Sequence, residues 1–277
     1  MKHFCIIANE EKGPAPESRE EIREYLIGRG CTVSVTEPIR SHVWWYGDRE
    51  IPEETECALV LGGDGTLIHA AKALKARKIP VFGLNFGTLG FLTGAEKNNW
   101  REAVDRLILD EVVTEERMLL SVSRNGEVSP YDAMNDVVIT RSGFSRVIQL
   151  EIRADGVPVS SFQGDGVIIS TPTGSTGYSL SAGGPLVSPL VKTILITPVC
   201  PHGLGNRPIA VPDTAVIEIH IGRSSRSRVN EAVVTLDGDE LMNLQPEETV
   251  VVAAAKESVH LSRLPEHSFW DSVKKKL

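Results

Sequence analysis

Three glycines and one aspartate crowd into Gly62-Gly63-Asp64-Gly65-Thr66, directly after the apolar run Cys57-Ala-Leu-Val-Leu61. Glycines at such a turn let backbone N–H groups approach an anion with no Cβ in the way. Thr66–Lys78 is rich in Ala, Leu and Lys and reads as a helix, so its first N–H groups and positive dipole end would face the same anion. The arrangement suits phosphate. Asp64 is the odd member, because a carboxylate repels phosphate unless a metal ion or a substrate hydroxyl stands between them. The ordinary alternative is a tight turn with Asp64 as a helix cap. Two familiar phosphate motifs are missing: neither Gly-x4-Gly-Lys-Ser/Thr nor a Gly-x-Gly-x-x-Gly after a strand occurs.

A second candidate segment reads Gly164-Asp-Gly-Val-Ile-Ile-Ser-Thr-Pro-Thr-Gly-Ser-Thr-Gly-Tyr-Ser-Leu-Ser-Ala-Gly-Gly-Pro185. The apolar stretch 166–170 runs into a cluster of hydroxyls and glycines that is too polar for a core helix. Hydroxyls on close backbone suit adenine edges, ribose and phosphate, and Tyr178 could stack on a base. A Ser/Gly-rich surface loop is the bland alternative.

The elements that must position these segments fall into two textures. Over the first ~95 residues strands and helices alternate: 3–8, 31–36, 57–61 and 80–84 read as strands. Ser18 stands three residues before Glu21 as a capping box, with Ile22, Tyr25 and Leu26 at helical spacing and Gly30 as a stop. This pattern predicts a parallel sheet with helices on both faces. Residues 96–110 read as one more helix, with Trp100, Ala103, Val104, Leu107 and Ile108 as its core-facing stripe. From about residue 112 short β-branched runs take over, at 136–140, 147–153, 166–170, 193–197, 214–221, 231–236 and 249–253. Asn125-Gly126 and Asp155-Gly156 are hairpin signals. One small-residue helical segment is expected near 175–183. The division is an α/β phosphate-binding domain over 1–100, with the tail 258–277 as a candidate to complete it, and a β-rich domain over 101–257. The tail residues Lys274–Lys276 read as a solvated charge run.

Net charge is −8, from 37 acidic against 29 basic residues. That disfavours nucleic acid as a partner, since a phosphate backbone needs a basic face. The cysteines Cys5, Cys31, Cys57 and Cys200 form no Cys-x-x-Cys pair, and buried free thiols are expected. No signal-peptide core and no membrane-length apolar run is visible, which gives an expectation of a cytoplasmic protein with no membrane partner.

The segment at 164–185 resembles the signature of the NAD kinase family, a strand followed by Ser-Thr-Pro-Thr-Gly-Ser-Thr-Ala-Tyr-Ser-Leu-Ser. Other landmarks of that family occur in the same order. They are Gly62–Thr66, Asn85-Phe-Gly-Thr-Leu-Gly-Phe-Leu-Thr93, Asn135-Asp136 leading a strand, Thr197-Pro-Val-Cys-Pro-His202 with Arg207-Pro208, and Asp237-Gly238. Departures are Asp136 where many members have Glu, Gly177 for the usual Ala, and Gln163 where a bacterial relative can carry Arg.

The resemblance implies transfer of the terminal phosphoryl of ATP, or of polyphosphate, to the 2′-hydroxyl of the adenosine ribose of NAD, giving NADP. It implies a ligand cleft between the two domains, and a homodimer or homotetramer. It makes Asp64 the catalytic carboxylate and puts Gly65 and its neighbours on phosphates. Asn135 and Asp136 would hold the adenosine part. Thr176, Gly177, Tyr178 and Ser181 would line the adenine and ribose pocket, with Ser179 and Leu180 in the same segment. Asp165 would lie on the path of the nicotinamide half, and Arg146, Gln163 and Thr173 are further NAD-binding candidates. Gly62, Gly63, Thr66, His69, Asp237 and Asp239 are candidate phosphate or ligand contacts, the last two approaching from a neighbouring subunit. Mg²⁺ or another divalent ion is implied, held by phosphates with no protein ligand assigned. Two other readings compete: a diacylglycerol- or sphingosine-type lipid kinase sharing the Gly-Gly-Asp-Gly turn, and a dinucleotide sensor without catalysis. The adenosine-shaped hydroxyl cluster argues against the first, and Asp64 against the second.

Overall fold

The computed structural model describes residues 1–8, 16–36, 51–87, 90–142, 147–203, 205–222 and 232–276. They form two compact units: Met1–Arg117 together with Glu257–Leu277, and Met118–Lys256.

The first unit opens with β1 (His3–Ala8), α1 (Pro16–Gly28), β2 (Thr32–Thr36), β3 (Cys57–Leu61), α2 (Asp64–Leu74), β4 (Val81–Asn85), the two-residue β5 (Ala95–Glu96) and α3 (Trp100–Ile108). The strands pair in parallel in the order β2-β1-β3-β4-β5. Every residue of β3 and β4 is buried, which is why both read as unbroken apolar runs rather than alternating ones. Phe4, Ile6, Leu59, Leu61, Phe82 and Leu84 join Ile22 and Leu26 of α1 and Trp100, Val104 and Leu107 of α3 in one core. Each such side chain contributes roughly 1.5–3 kcal/mol of gross burial energy. That packing carries α3 with the first unit, so this unit runs on to Arg117, beyond the boundary near residue 100 that the change of texture suggested. α1 begins at Pro16 and not at Ser18, which is a correction to the expected cap. Proline has a preset helical φ and no N–H to lose, so it opens the first turn readily. Gly30, at φ +77°, lets the chain leave the helix in the left-handed region.

The chain then runs through β6 (Val113–Arg124) into the second unit, with β7 (Glu127–Ala133), β8 (Asp136–Arg141), β9 (Ile148–Ala154), β10 (Val157–Gly164), β11 (Gly166–Ser170), α4 (Tyr178–Ser181), β12 (Thr193–Val199), β13 (Ile209–Pro212), β14 (Ile217–Gly222), β15 (Ala232–Leu236) and β16 (Asp239–Leu244). Asn125-Gly126, Asp155-Gly156 and Asp237-Gly238 all have positive φ and close the hairpins β6–β7, β9–β10 and β15–β16. One antiparallel sheet of this unit has the order β13-β12-β11-β8-β15-β16. β9, β10 and β14 pair in another sheet, with the start of β17 (Thr249–Arg263) beside β14. The sequence indicated β17 only over 249–253. Its far end belongs to the first unit, where Leu261 pairs in parallel with Val81, and α5 (Phe269–Lys276) follows. Cys5, Cys31 and Cys57 are buried free thiols, whereas Cys200 is exposed.

Candidate active site

The first phosphate turn is built as its residues demand. β3 ends at Leu61, Gly63 is the N-cap of α2, and no side chain caps that helix. Leu67 N–H donates to Gly63 carbonyl as the first helical bond. The N–H groups before it point out of the helix end, the usual anion-binding geometry. Gly62 is required by close approach, because a Cβ there would lie 2.8 Å from Thr66 Oγ1. Gly65 is exposed, Thr66 is buried and His69 is half-buried further along α2.

Asp64 is not a helix cap. Its carboxylate accepts hydrogen bonds from the backbone N–H groups of Phe91, at 2.7 Å, and Leu92, at 3.1 Å. Gly90 just before them leaves room for this: a Cβ there would sit 2.0 Å from Asp64 Oδ1. The carboxylate is thus aimed by two fixed dipoles, with lone pairs left over and part of its surface open. The Asn85–Thr93 segment was legible as a landmark, but not as the holder of Asp64.

In the second unit, register brings the other candidates together. β8 and β11 pair so that Asp136 stands opposite Ser170. Thr171 then binds across: its N–H donates to Asn135 carbonyl at 2.9 Å, and its hydroxyl donates to Met134 carbonyl at 2.6 Å while accepting from Gly174 N–H at 3.0 Å. Gly174 must be glycine, since a Cβ would lie 2.0 Å from Asn135 carbonyl oxygen. Thr173–Thr176 forms a short 3-10 turn leading into α4, which gives the expected helical segment in two pieces. Asn135, Asp136 and Gly177 are neighbours: a Cβ on Gly177 would lie 3.6 Å from Asp136 Oδ2 and 3.8 Å from Asn135 Nδ2.

Asp237 holds this turn. Its oxygens accept from the N–H groups of Met134 at 2.9 Å, Asn135 at 2.7 Å and Asp136 at 3.2 Å, and its own N–H donates to Asp136 carbonyl. The sequence suggested a ligand contact here. The carboxylate also braces the backbone of residues 134–136. Asp136 is 6% exposed, and burial first, then the nearby Asp237 charge, push its carboxyl up to about 7. Asp239 is half-buried, and its Oδ2 has no hydrogen-bond partner among the described residues.

The remaining candidates divide. Tyr178 and Ser181 are exposed, and Leu180, Thr176 and Gly177 are half-buried. Ser179 is fully buried, and its hydroxyl bonds Thr197 Oγ1 at 2.9 Å, so it supports the segment from below. Thr173 is buried. Asp165 accepts from Arg141 Nε at 2.6 Å. Gln163 has an exposed side chain at the end of β10, where its carbonyl accepts from His202 N–H. Arg146 lies outside the described residues. Lys274–Lys276 is exposed, as expected of a solvated charge run, and forms the last turn of α5, with Lys275 paired to Glu96 and Lys276 over the Phe91 ring.

Both parts of this geometry have counterparts in known proteins. Residues 4–112 match the model of the ATP-NAD kinase N-terminal domain, and residues 134–264 match that of the ATP-NAD kinase C-terminal domain. The NAD kinase of Lachnoclostridium phytofermentans is 45% identical, over 100% of this chain and 99% of that one. The NAD kinase of Solibacter usitatus is 37% identical, over 100% and 97%. Among solved structures, yeast NADH kinase complexed with NADH superposes with a TM-score of 0.80 at 26% identity, covering 100% of this chain and 87% of that chain. An NAD kinase from Archaeoglobus fulgidus in complex with ATP gives 0.78 at 23% identity, covering 98% of each, and supports the fold alone. The lipid-kinase and sensor readings are not favoured by these matches. On full-length likeness and on both halves of the family pair, the chain belongs to the NAD kinase family, phosphotransferases with an alcohol group as acceptor.

Proposed function

We propose that this chain uses Asp64 to receive the proton of the 2′-hydroxyl on the adenosine ribose of NAD as the terminal phosphoryl of ATP is transferred to it. The reaction itself, ATP-dependent phosphorylation of NAD, is that of the family. The observation that carries the residue assignment is the Asp64 carboxylate, fixed by two backbone N–H groups at an uncapped helix N-terminus. Phosphoryl transfer has a loose transition state, so positioning and charge neutralisation do most of the work. The α2 N-terminus and the Gly62–Gly65 backbone supply donors to phosphate oxygens. Asp64 orients the hydroxyl and takes its proton as the O–P bond forms and the bond to the leaving ADP oxygen breaks.

The Asn135-Asp136 turn, with Thr176, Gly177, Tyr178 and Ser181, is assigned to the adenosine half of NAD, and Asp165 to the path of the nicotinamide half. A divalent ion such as Mg²⁺ supplies charge neutralisation between the phosphates when bound. No described helix is long and apolar enough to cross a membrane. We place the enzyme in the cytoplasm as a homodimer or homotetramer, on family resemblance. The test is direct: the pure chain with NAD, Mg²⁺ and ATP, then with polyphosphate in place of ATP. NADP should appear with ATP, and its absence with both donors would overturn the reading.

A further inference from the structure

The segment that holds Asp64 is itself held, by residues that come more than 170 positions later in the chain. Phe91, Leu92 and Thr93 line a small open pocket together with Arg117, Arg263, His267 and Ser272. A pocket of this kind leaves the backbone of 91–94 dependent on discrete contacts. Gly94 N–H donates to Gly83 carbonyl at 2.9 Å, and the side-chain contact is made by His267, whose Nδ1 lies 2.9 Å from Gly94 carbonyl oxygen. A carbonyl only accepts, so Nδ1 carries the hydrogen. Two further contacts come from α5: Lys276 Nζ stands 4.0 Å from the Phe91 ring centroid, and Lys275 pairs with Glu96 at 3.4 Å.

His267 is anchored in turn. Arg263 Nη1 donates to its carbonyl at 2.8 Å, and Arg263 Nε donates to Glu115 Oε1 at 2.6 Å. Arg117 binds the other oxygen of Glu115, and the side chains of both are under a tenth exposed. A buried carboxylate clasped by two guanidinium groups is a rigid base for the next link. The path runs from Glu115 through Arg263 and His267 to Gly94, and from Phe91 and Leu92 to Asp64.

We propose that His267 is a positioning residue for phosphoryl transfer, keeping the Phe91 and Leu92 N–H groups aimed at the Asp64 carboxylate. The proposal rests on the reading of Asp64 as the proton acceptor. His267 acts through the backbone of 91–94, so its loss should lower kcat and leave KM for NAD and ATP alone. Asparagine places its amide nitrogen where Nδ1 stands, whereas glutamine places it where Nε2 stands. The test is NADP formation at saturating ATP and Mg²⁺ by the full chain and by H267N and H267Q, with melting temperatures measured alongside. H267N should turn over within about twofold of the unsubstituted chain, and H267Q about tenfold more slowly with both KM values within about twofold. Equal turnover in H267N and H267Q overturns the proposal, as does a fall in H267Q that appears in KM rather than kcat. D64N is run in parallel: full activity there strikes the reading of Asp64 itself, whereas a dead D64N beside unaffected His267 variants strikes only the positioning role.

Discussion

Asp64 and Asp136 are both expected at the heart of the chemistry, yet the chain treats them in opposite ways. Asp64 is partly open and receives two backbone N–H groups from a distant segment, with Gly90 making room. Asp136 is buried, and no donor among the described residues reaches its carboxylate; the N–H groups beside it go to Asp237. One carboxylate is aimed by fixed backbone dipoles. The other is kept near the point where it exchanges a proton, at about 7. The difference lies in who owns the backbone N–H groups: in the first site the functional acid takes them, and in the second a neighbouring acid takes them to shape the turn.

The largest break in that comparison should come from Asp64→Asn. It keeps the shape, removes the proton acceptor, and should lower kcat about a hundredfold with the melting temperature little changed. Next is Gly90→Ala. Its Cβ would fall 2.0 Å from Asp64 Oδ1, so the carboxylate must move. A displacement of that order should lower kcat about thirtyfold, and kinetics within a fewfold of normal would mean that the aim of Asp64 is unimportant.

Asp237→Ala tests the second arrangement. Three N–H groups lose their acceptor. Stability should fall by about 2 kcal/mol and KM for NAD should rise about tenfold, with KM for ATP nearly constant. Equal change in both KM values would detach this turn from NAD.

The smallest effect is a pH dependence. Asp136 has a folded pKa of about 7 against an ordinary aspartate value of 3.8, so the folded state resists its ionisation. Below the unfolded value the group is neutral in both states and costs nothing. Stability is lost as pH rises between the two values, and the full cost is present above 7. Asp136→Asn removes the cost. Its melting temperature relative to the unsubstituted chain should therefore be about 3 °C more favourable at pH 8 than at pH 5. Parallel curves would mean that Asp136 is not a desolvated acid.

Much of this was legible in local pattern. The strand–turn–helix at 57–74 announced itself through an apolar run, glycines and helix formers, and the strand 166–170 through its five consecutive buried positions. Hairpins followed from Asn125-Gly126 and Asp155-Gly156, because few residues tolerate their backbone. What stayed hidden depends on contacts remote in sequence. Gly90 has ordinary neighbours, and only the fold brings Asp64 against it. The family resemblance marked Asp237 as a ligand candidate, but not its hold on the N–H groups of residues about a hundred positions earlier. Ser179 belonged to a hydroxyl-rich run, yet its side chain meets Thr197 beneath the surface. Composition marks a segment as polar without saying which hydroxyls face inward. The Lys274–Lys276 run is solvated as its charge suggested, but the placement of Lys276 above the Phe91 ring is invisible until both are placed.

The first unit is sewn from two stretches of chain, with Met118–Lys256 between them. A ribosome must therefore read through the whole second unit before Leu261 can pair with Val81 or His267 can reach Gly94. The Asp64 turn is made early and can fold locally, but its support emerges last. A nascent chain would carry the acid long before it could aim it, so phosphorylation would begin only once translation had passed α5.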